Sequence, residues 1–267
     1  MARRRIHQVY DCFIILIVAV VYVTLMSFYT INIGSYSRPR YPLEVGQPRP
    51  VNGRHVFDFP DLSAFTMPKT ALCNQGEGMH LLVAVSSFLQ NIEQRLAIRK
   101  TWGQAIGKYG AVIFMIEQSN DHINIDDIIE ESVTYHDIIL LNLLDGIGNT
   151  TLKIISMFQW ITMYCRNAQY ILKVDDSTLV LPHNLWPYMA QLPFNNVAAG
   201  RVFVNTKHNR QTASKWFVSS EQWNKTTYPP YIDSTSCLFS SDVVIRIAEE
   251  AVKIEPFQFE DVFIGIV

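Results

Sequence analysis

Tyr170-Ile171-Leu172-Lys173-Val174-Asp175-Asp176-Ser177 reads as a buried strand that runs directly into two adjacent carboxylates. A carboxyl end of that kind is where an α/β fold places its ligand site. The surrounding sequence supports such a fold. Residues 80–85, 111–116, 137–141 and 170–174 are short, near-continuous apolar runs, as expected of parallel strands buried on both faces. Residues 91–102, 124–132 and 149–164 lie around and between these runs, and in the last of them Leu152, Ile155, Phe158 and Ile161 recur at helical spacing. The sequence predicts a βαβ series that binds its ligand beyond the carboxyl ends of the strands.

The Asp175-Asp176 pair admits two readings on its own residues. Adjacent carboxylates repel, and a divalent cation with a preference for hard oxygen ligands, Mg²⁺ or Mn²⁺, relieves that repulsion. A solvated turn relieves it equally well. Composition narrows the classes of function. Hydrophobic residues make up 49% of the 267-residue chain, enough for a substantial core, and 22 Lys+Arg against 24 Asp+Glu leave a net charge of −2. That balance excludes a general nucleic-acid binder, which needs a basic surface. Four cysteines are too few for a disulfide-built fold, and none has zinc-site spacing.

The N-terminus sets the compartment. Arg3, Arg4 and Arg5 precede an apolar run over residues 12–33, and about 20 apolar residues cross a bilayer as a helix. A cleaved signal peptide has a shorter apolar stretch and a small-residue cleavage site. With the arginines on the cytoplasmic side, the expected topology is single-pass type II: tail 1–11, anchor 12–33, stem 34–75 and globular domain 76–267. The stem holds Pro39, Pro42, Pro48, Pro50, Pro60 and Pro68 without helical or strand periodicity. Beyond the anchor, Asn149 and Asn224 begin N-x-Thr sequons and are candidate glycosylation sites. Cys73, Cys165 and Cys237 share the oxidising side, so one bridge at most forms, Cys73 with Cys165 being one pairing. The remaining thiol stays free or links a homodimer.

Several motifs in order resemble the β-1,3-galactosyltransferase-like glycosyltransferases. They are residues 95–103 from Arg95 to Trp102-Gly103, Asn149-Thr150-Thr151-Leu152-Lys153, Lys173-Val174-Asp175-Asp176, Gly200-Arg201-Val202, Lys215-Trp216, Tyr228-Pro229-Pro230-Tyr231 and Glu260-Asp261-Val262-Phe263-Ile264-Gly265. The resemblance implies a GT-A type, Rossmann-like nucleotide-sugar domain behind a single transmembrane helix, lumenal in the Golgi. It implies transfer of galactose or N-acetylglucosamine from a UDP-sugar to a glycan acceptor on glycoprotein or glycolipid, with inversion and with Mn²⁺ or Mg²⁺ on the diphosphate. A cation held by Asp175 and Asp176 would neutralise the departing UDP.

Inversion needs a base on the face of the sugar opposite the leaving group. The resemblance assigns this to the acidic pair late in the chain, with Asp261 as base and Glu260 as its orienter or as an acceptor contact. Read without the resemblance, the same pair is an acidic first turn of a helix. Arg95 and Arg99, four residues apart on one helix face, are candidates for binding the anionic donor or form a structural pair. Trp216, Tyr228 and Tyr231 offer aromatic faces to an acceptor sugar or pack in the core.

Three departures from the family pattern count. Ser177 stands where a third aspartate is usual, and on an extended segment it would share the orientation of Asp175 while Asp176 points away. Ile232-Asp233-Ser234-Thr235-Ser236 replaces a glycine-rich turn. The chain stops at Val267, soon after the acidic motif. The expectation that competes with an enzyme is therefore a catalytically weak relative that binds glycans or stabilises a partner.

Overall fold

The computed structural model describes residues 49–51, 54–56, 73, 79–107, 109–118, 125–144 and 150–267. The expected tail and anchor, and most of the stem, lie outside these residues. Among the described residues no helix is long and apolar enough to cross a membrane. Within the stretch read as a spacer, β1 (Arg49–Val51) and β2 (Arg54–Val56) form a short antiparallel pair.

The strands read from apolar runs are present: β3 (Leu81–Ser87), β4 (Gly110–Gln118), β5 (Ile138–Leu144) and β6 (Tyr170–Asp175). The first long helical pattern is two helices, α1 (Ile92–Lys100) and α2 (Trp102–Ile106). Thr101, at φ −119° and ψ −111°, breaks them apart. Then follow α3 (Ile125–Tyr135), α4 (Thr150–Tyr164), α5 (Pro182–Met189), β7 (Ala198–Phe203), β8 (Tyr231–Ser240), α6 (Ser241–Ala251) and α7 (Glu260–Ile266).

Six strands make one mixed sheet in the order β5-β4-β3-β6-β8-β7. The pairs β5/β4, β4/β3 and β3/β6 are parallel, whereas β8 runs antiparallel to both β6 and β7. Alternation along the strands feeds two apolar layers. Leu82, Ala84, Met115 and Ile171 pack with α4, α6 and Phe263 of α7 on one face. Leu81, Val83, Phe114, Leu172 and Val174 pack with Ile98, Trp102 and Ile106 on the other. The result is an α/β fold, helices on both faces of a mixed sheet, consistent with the GT-A type.

This topology creates a crevice. From β3 the chain moves outward through β4 to β5, and α4 then returns it to β6 on the other side of β3. The strand order reverses between β3 and β6, so the crevice beyond their carboxyl ends is the switch point at which open α/β sheets bind ligands. Ser86 is paired with Asp175 at that point.

Candidate active site

Strand alternation explains how β6 builds the site. Lys173 and Asp175, two residues apart, project to the face that packs α4, α6 and α7, whereas Leu172 and Val174 enter the opposite core. Lys173 is 2% exposed, an unusual charge inside an apolar strand. Its Nζ lies 2.9 Å from Asp175 Oδ1 and 3.0 Å from Glu260 Oε1, and it also donates to the Ser234 carbonyl. Burial alone would lower the pKa of this ammonium, but the facing Glu260 and Asp175 carboxylates raise it above the ordinary lysine value. One buried cation thus ties the carboxylate at the end of β6 to the acidic first turn of α7. The two acidic motifs, far apart in sequence, are parts of one site.

Helix α7 reaches that position by close backbone packing. A Cβ on Gly265 would sit 2.6 Å from the Pro230 carbonyl oxygen and 2.8 Å from Cβ of Tyr231, so only glycine permits the approach. On α4, Thr151 Oγ1 donates to the carbonyl of Phe257 and tethers the segment leading into Glu260. Asp261 accepts a hydrogen bond from the amide of Val262 at 2.8 Å. Burial raises its carboxyl above the ordinary aspartate range, the Val262 amide opposes this, and nearby Glu260 and Asp233 add to it. A raised carboxyl pKa means a stronger base once the proton is lost.

Asp176 departs from the extended geometry expected for it. The strand ends at Asp175, and a turn closed by the Thr178 amide on the Asp175 carbonyl carries Asp176 and the exposed Ser177. The alternation argument that placed Ser177 beside Asp175 therefore does not apply. Asp176 Oδ2 accepts from Ser87 Oγ at 2.7 Å and from Asn91 Nδ2 at 2.8 Å. Among the described residues no hydrogen bond reaches Oδ1 of Asp176 or Oδ2 of Asp175, and no group of three or more His, Cys, Asp or Glu side chains forms a metal cage. Two hard oxygens beside a crevice nevertheless fit a Mg²⁺ or Mn²⁺ ion, which takes one or two carboxylates and completes its shell with phosphates and water.

Arg95 and Arg99 are each bonded to carboxylates of the fold, the structural pairing that the sequence also allowed. Arg95 is fully buried, bidentate to Glu131 at 2.9 and 2.7 Å, and bonded to Ser87 Oγ and the carbonyls of Phe88 and Leu89. Arg99 pairs with Asp137 through two bonds and with Glu131 through one. Its guanidinium also lies 4.0 Å from the Tyr135 ring centre. Burial would raise the Glu131 carboxyl, but the two guanidinium groups hold it below the ordinary range. A cleft of about 450 Å³ lined by Arg99, Gly103, Val112 and Asp137 lies toward the amino ends of β4 and β5, the wrong end of the sheet for the site described above.

The aromatic candidates divide. Trp216 is 55% exposed, with its ring 5.4 Å from that of Phe259, just before Glu260. Tyr228 is 7% exposed and packs against Trp223 and Phe257, so its ring face is not offered to a sugar. Burial pushes its phenol up to about 12, Arg210 opposing and Tyr231 and Asp261 adding. The buried hydroxyl has no hydrogen-bond partner among the described residues. Tyr231 is half-buried and stacks on Phe203 at 5.2 Å.

Residues 232–236, expected to replace a turn, continue strand β8 instead. At Gly200 a Cβ would come within 2.6 Å of the Ile232 side chain, which is why β7 can lie so close to this strand. Asp233, on β8, is held below the ordinary carboxylate range by hydrogen bonds from Thr235. Cys73 and Cys165 form a disulfide, and Cys237 is a buried thiol whose pKa burial pushes up to about 12. Asn149 lies outside the described residues, whereas Asn224, Lys225 and Thr226 are exposed.

Lys173, Ser87, Asn91 and Asp233 belong to the site although sequence reasoning did not select them. A lysine in an apolar strand, two residues before an aspartate, was a signal for the first. The other three carry no mark in their local sequence.

The profile of the family described as "Galactosyltransferase" matches residues 93–267, which include both acidic motifs. UDP-GalNAc:beta-1,3-N-acetylgalactosaminyltransferase 1 of Sus scrofa is 30% identical over 209 residues, 76% of this chain and 63% of that protein. Beta-1,3-galactosyltransferase 5 of Pan paniscus is 30% identical over 202 residues, 73% and 65%. Beta-1,3-galactosyltransferase 1 of Mus musculus is 28% identical over 192 residues, 70% and 59%. The matched stretch is less than two thirds of the length of each of these relatives. With the family profile covering both halves of the site that Lys173 joins, the chain belongs to the Galactosyltransferase family.

Proposed function

We propose that this protein transfers a sugar from a UDP donor to a hydroxyl of a glycan acceptor on glycoprotein or glycolipid, with inversion and a β-1,3 linkage. The donor sugar is galactose or N-acetylglucosamine, to which the name of one relative adds N-acetylgalactosamine. The observation that carries this reading is the bridge from Lys173 Nζ to Asp175 at 2.9 Å and to Glu260 at 3.0 Å, which couples a donor end to an acceptor end.

Asp175 and Asp176 would hold the Mn²⁺ or Mg²⁺, which supplies charge neutralisation at the diphosphate when bound. Asp261 takes the proton of the acceptor hydroxyl as the acceptor oxygen bonds to the anomeric carbon. The bond from that carbon to the UDP oxygen breaks, and its electron pair leaves with UDP. Glu260, pinned by Lys173, keeps the first turn of α7 in place, and its charge adds to the basicity of Asp261. Trp216 and Tyr231 border the acceptor side. The expected setting is a type II Golgi membrane protein, on the strength of the apolar run at residues 12–33 after Arg3, Arg4 and Arg5.

A second reading, a catalytically weak relative that binds glycans or stabilises a partner, draws on Ser177 and on Lys173 already occupying one oxygen of Asp175. A screen of the detergent-solubilised chain for hydrolysis and transfer with several UDP-sugars, with and without Mn²⁺, separates the two. Metal-dependent turnover of any donor supports the enzyme. UDP binding without turnover of any donor or acceptor favours the second reading.

A further inference from the structure

The two neutral donors on Asp176 are arranged in a way that helix packing does not require. Asn91 occupies the N-cap position of α1 yet makes no side-chain cap bond. Asn at that position ordinarily accepts a bond from the helix's own first-turn amides. Here its Nδ2 instead donates to Asp176 Oδ2 across 85 positions of sequence. Ser87, at the end of β3, donates to the same oxygen at 2.7 Å. Ser87 has one hydroxyl proton, and Arg95 Nη1 donates into its oxygen at 3.0 Å. A lone pair is thereby occupied, and of the two acceptors within reach of the proton Asp176 Oδ2 at 2.7 Å is much nearer than the Phe88 carbonyl at 3.4 Å.

Arg95 is held in turn by Glu131 and grips the Phe88 and Leu89 carbonyls, so the short loop from Ser87 to Asn91 is clamped. The full positive charge of this network is spent on Glu131. What reaches Asp176 is orientation without neutralisation, and among the described residues no ion pair compensates its charge. A carboxylate fixed through one oxygen, with no ion pair and no hydrogen bond on its other oxygen among the described residues, is prepared for a cation.

We infer that Ser87 and Asn91, with Arg95 behind them, are positioning residues that set Asp176 for the cation-bound diphosphate of the donor. This rests on the reading of Asp175 and Asp176 given above. Outer-shell partners of metal-binding carboxylates are worth about 10- to 100-fold in metal affinity. Arg95 itself is too deeply buried for a clean variant, whereas Asn91→Ala gives up no cap bond.

The experiment is calorimetric titration of the full solubilised chain with UDP, with and without Mn²⁺, together with Mn²⁺ binding in the presence of UDP followed by electron paramagnetic resonance. Asn91→Ala and Ser87→Ala should each weaken Mn²⁺-dependent UDP binding by about 10-fold, leave metal-free UDP binding unchanged, and add nothing in an Asp176→Asn background. Ser87→Thr, which keeps the hydroxyl, should restore binding. If Asp176→Asn abolishes the Mn²⁺ dependence while Asn91→Ala binds as the unaltered chain does, the positioning role is overturned and the metal reading stands. If Asp176→Asn leaves Mn²⁺-dependent binding unchanged, the metal reading falls and this inference with it.

Discussion

Replacing Lys173 by Met removes a buried charge while keeping the length of the side chain, and the structure sets the size of the effect. Lys173 contacts Asp175, which is 39% exposed, and Glu260, which is 16% exposed, and it donates to the Ser234 carbonyl. The exposed partner contributes about 0–1 kcal/mol, because water and salt screen such a pair. Breaking a fully buried pair costs about 3–5 kcal/mol, since the remaining charge is left without compensation. Glu260 retains some water, so the expected total is about 2–4 kcal/mol, below the fully buried figure. At about 2–4 °C per kcal/mol for a domain of this size, the unfolding midpoint should fall by roughly 4–16 °C.

Thermal unfolding followed by circular dichroism, with urea titration for the free energy, measures the loss. The decisive quantity is the double-mutant cycle with Glu260→Gln, for which a coupling of about 1–3 kcal/mol is expected. The coupling should survive 0.5 M NaCl, because a buried pair is little screened. A coupling below about 0.5 kcal/mol would refute the claim that this ammonium joins the two acidic motifs.

Asp261→Asn keeps the size of the side chain but removes the base, so turnover should fall by about 10²- to 10⁴-fold while UDP binding persists. The same variant should be more stable than the unaltered chain at pH 7. A carboxyl whose folded pKa is raised gives stability that is lost as pH rises through that pKa, so the gain should vanish below the ordinary value of about 3.9. Equal unfolding midpoints across that range would contradict the burial argument. Cys73→Ser opens a bridge spanning 92 positions and should cost about 2–5 kcal/mol, read by denaturant unfolding in non-reducing buffer. Asn224→Gln should reduce an enzymatic deglycosylation shift, and together with Asn149→Gln abolish it, if the exposed loop faces the lumen, and no shift in the unaltered chain would count against the type II topology.

The parallel half of the sheet was legible in the residues because strands buried on both faces are largely apolar, and β3 to β6 are so apart from their carboxyl ends, Asn142 of β5 and Lys173 of β6. Residues 231–240 were harder to read. Their polar first half looked like an altered turn, yet pairing with β7 at Tyr231 and Ile232 and with β6 from Ser236 onward carries the strand through it, a contribution made by partners rather than by local preference. Asp175 and Asp176 could be chosen from sequence because an acidic pair at the end of an apolar run is a local pattern, whereas Glu260 and Asp261 were chosen by the resemblance of ordered motifs. Arg95 could be noticed but not understood. Its i, i+4 relation to Arg99 gives a helix face, while its partners Glu131 and Ser87 come from other elements.

The sequence alone thus determined the α/β class, and it singled out the strand end and the acidic pairs to which the chemistry is assigned under the proposed function. The class and the strand end follow from periodicity and residue type within short windows, whereas Glu260 and Asp261 were singled out by the resemblance of ordered motifs. Only the tertiary structure decided that Lys173 spans the two acidic motifs, that Arg95 faces inward and that Tyr228 is buried. It also decided that Asn91 serves Asp176 in place of its own helix. Each of these depends on side chains meeting across distant elements, and a short window of sequence holds only one of the two partners.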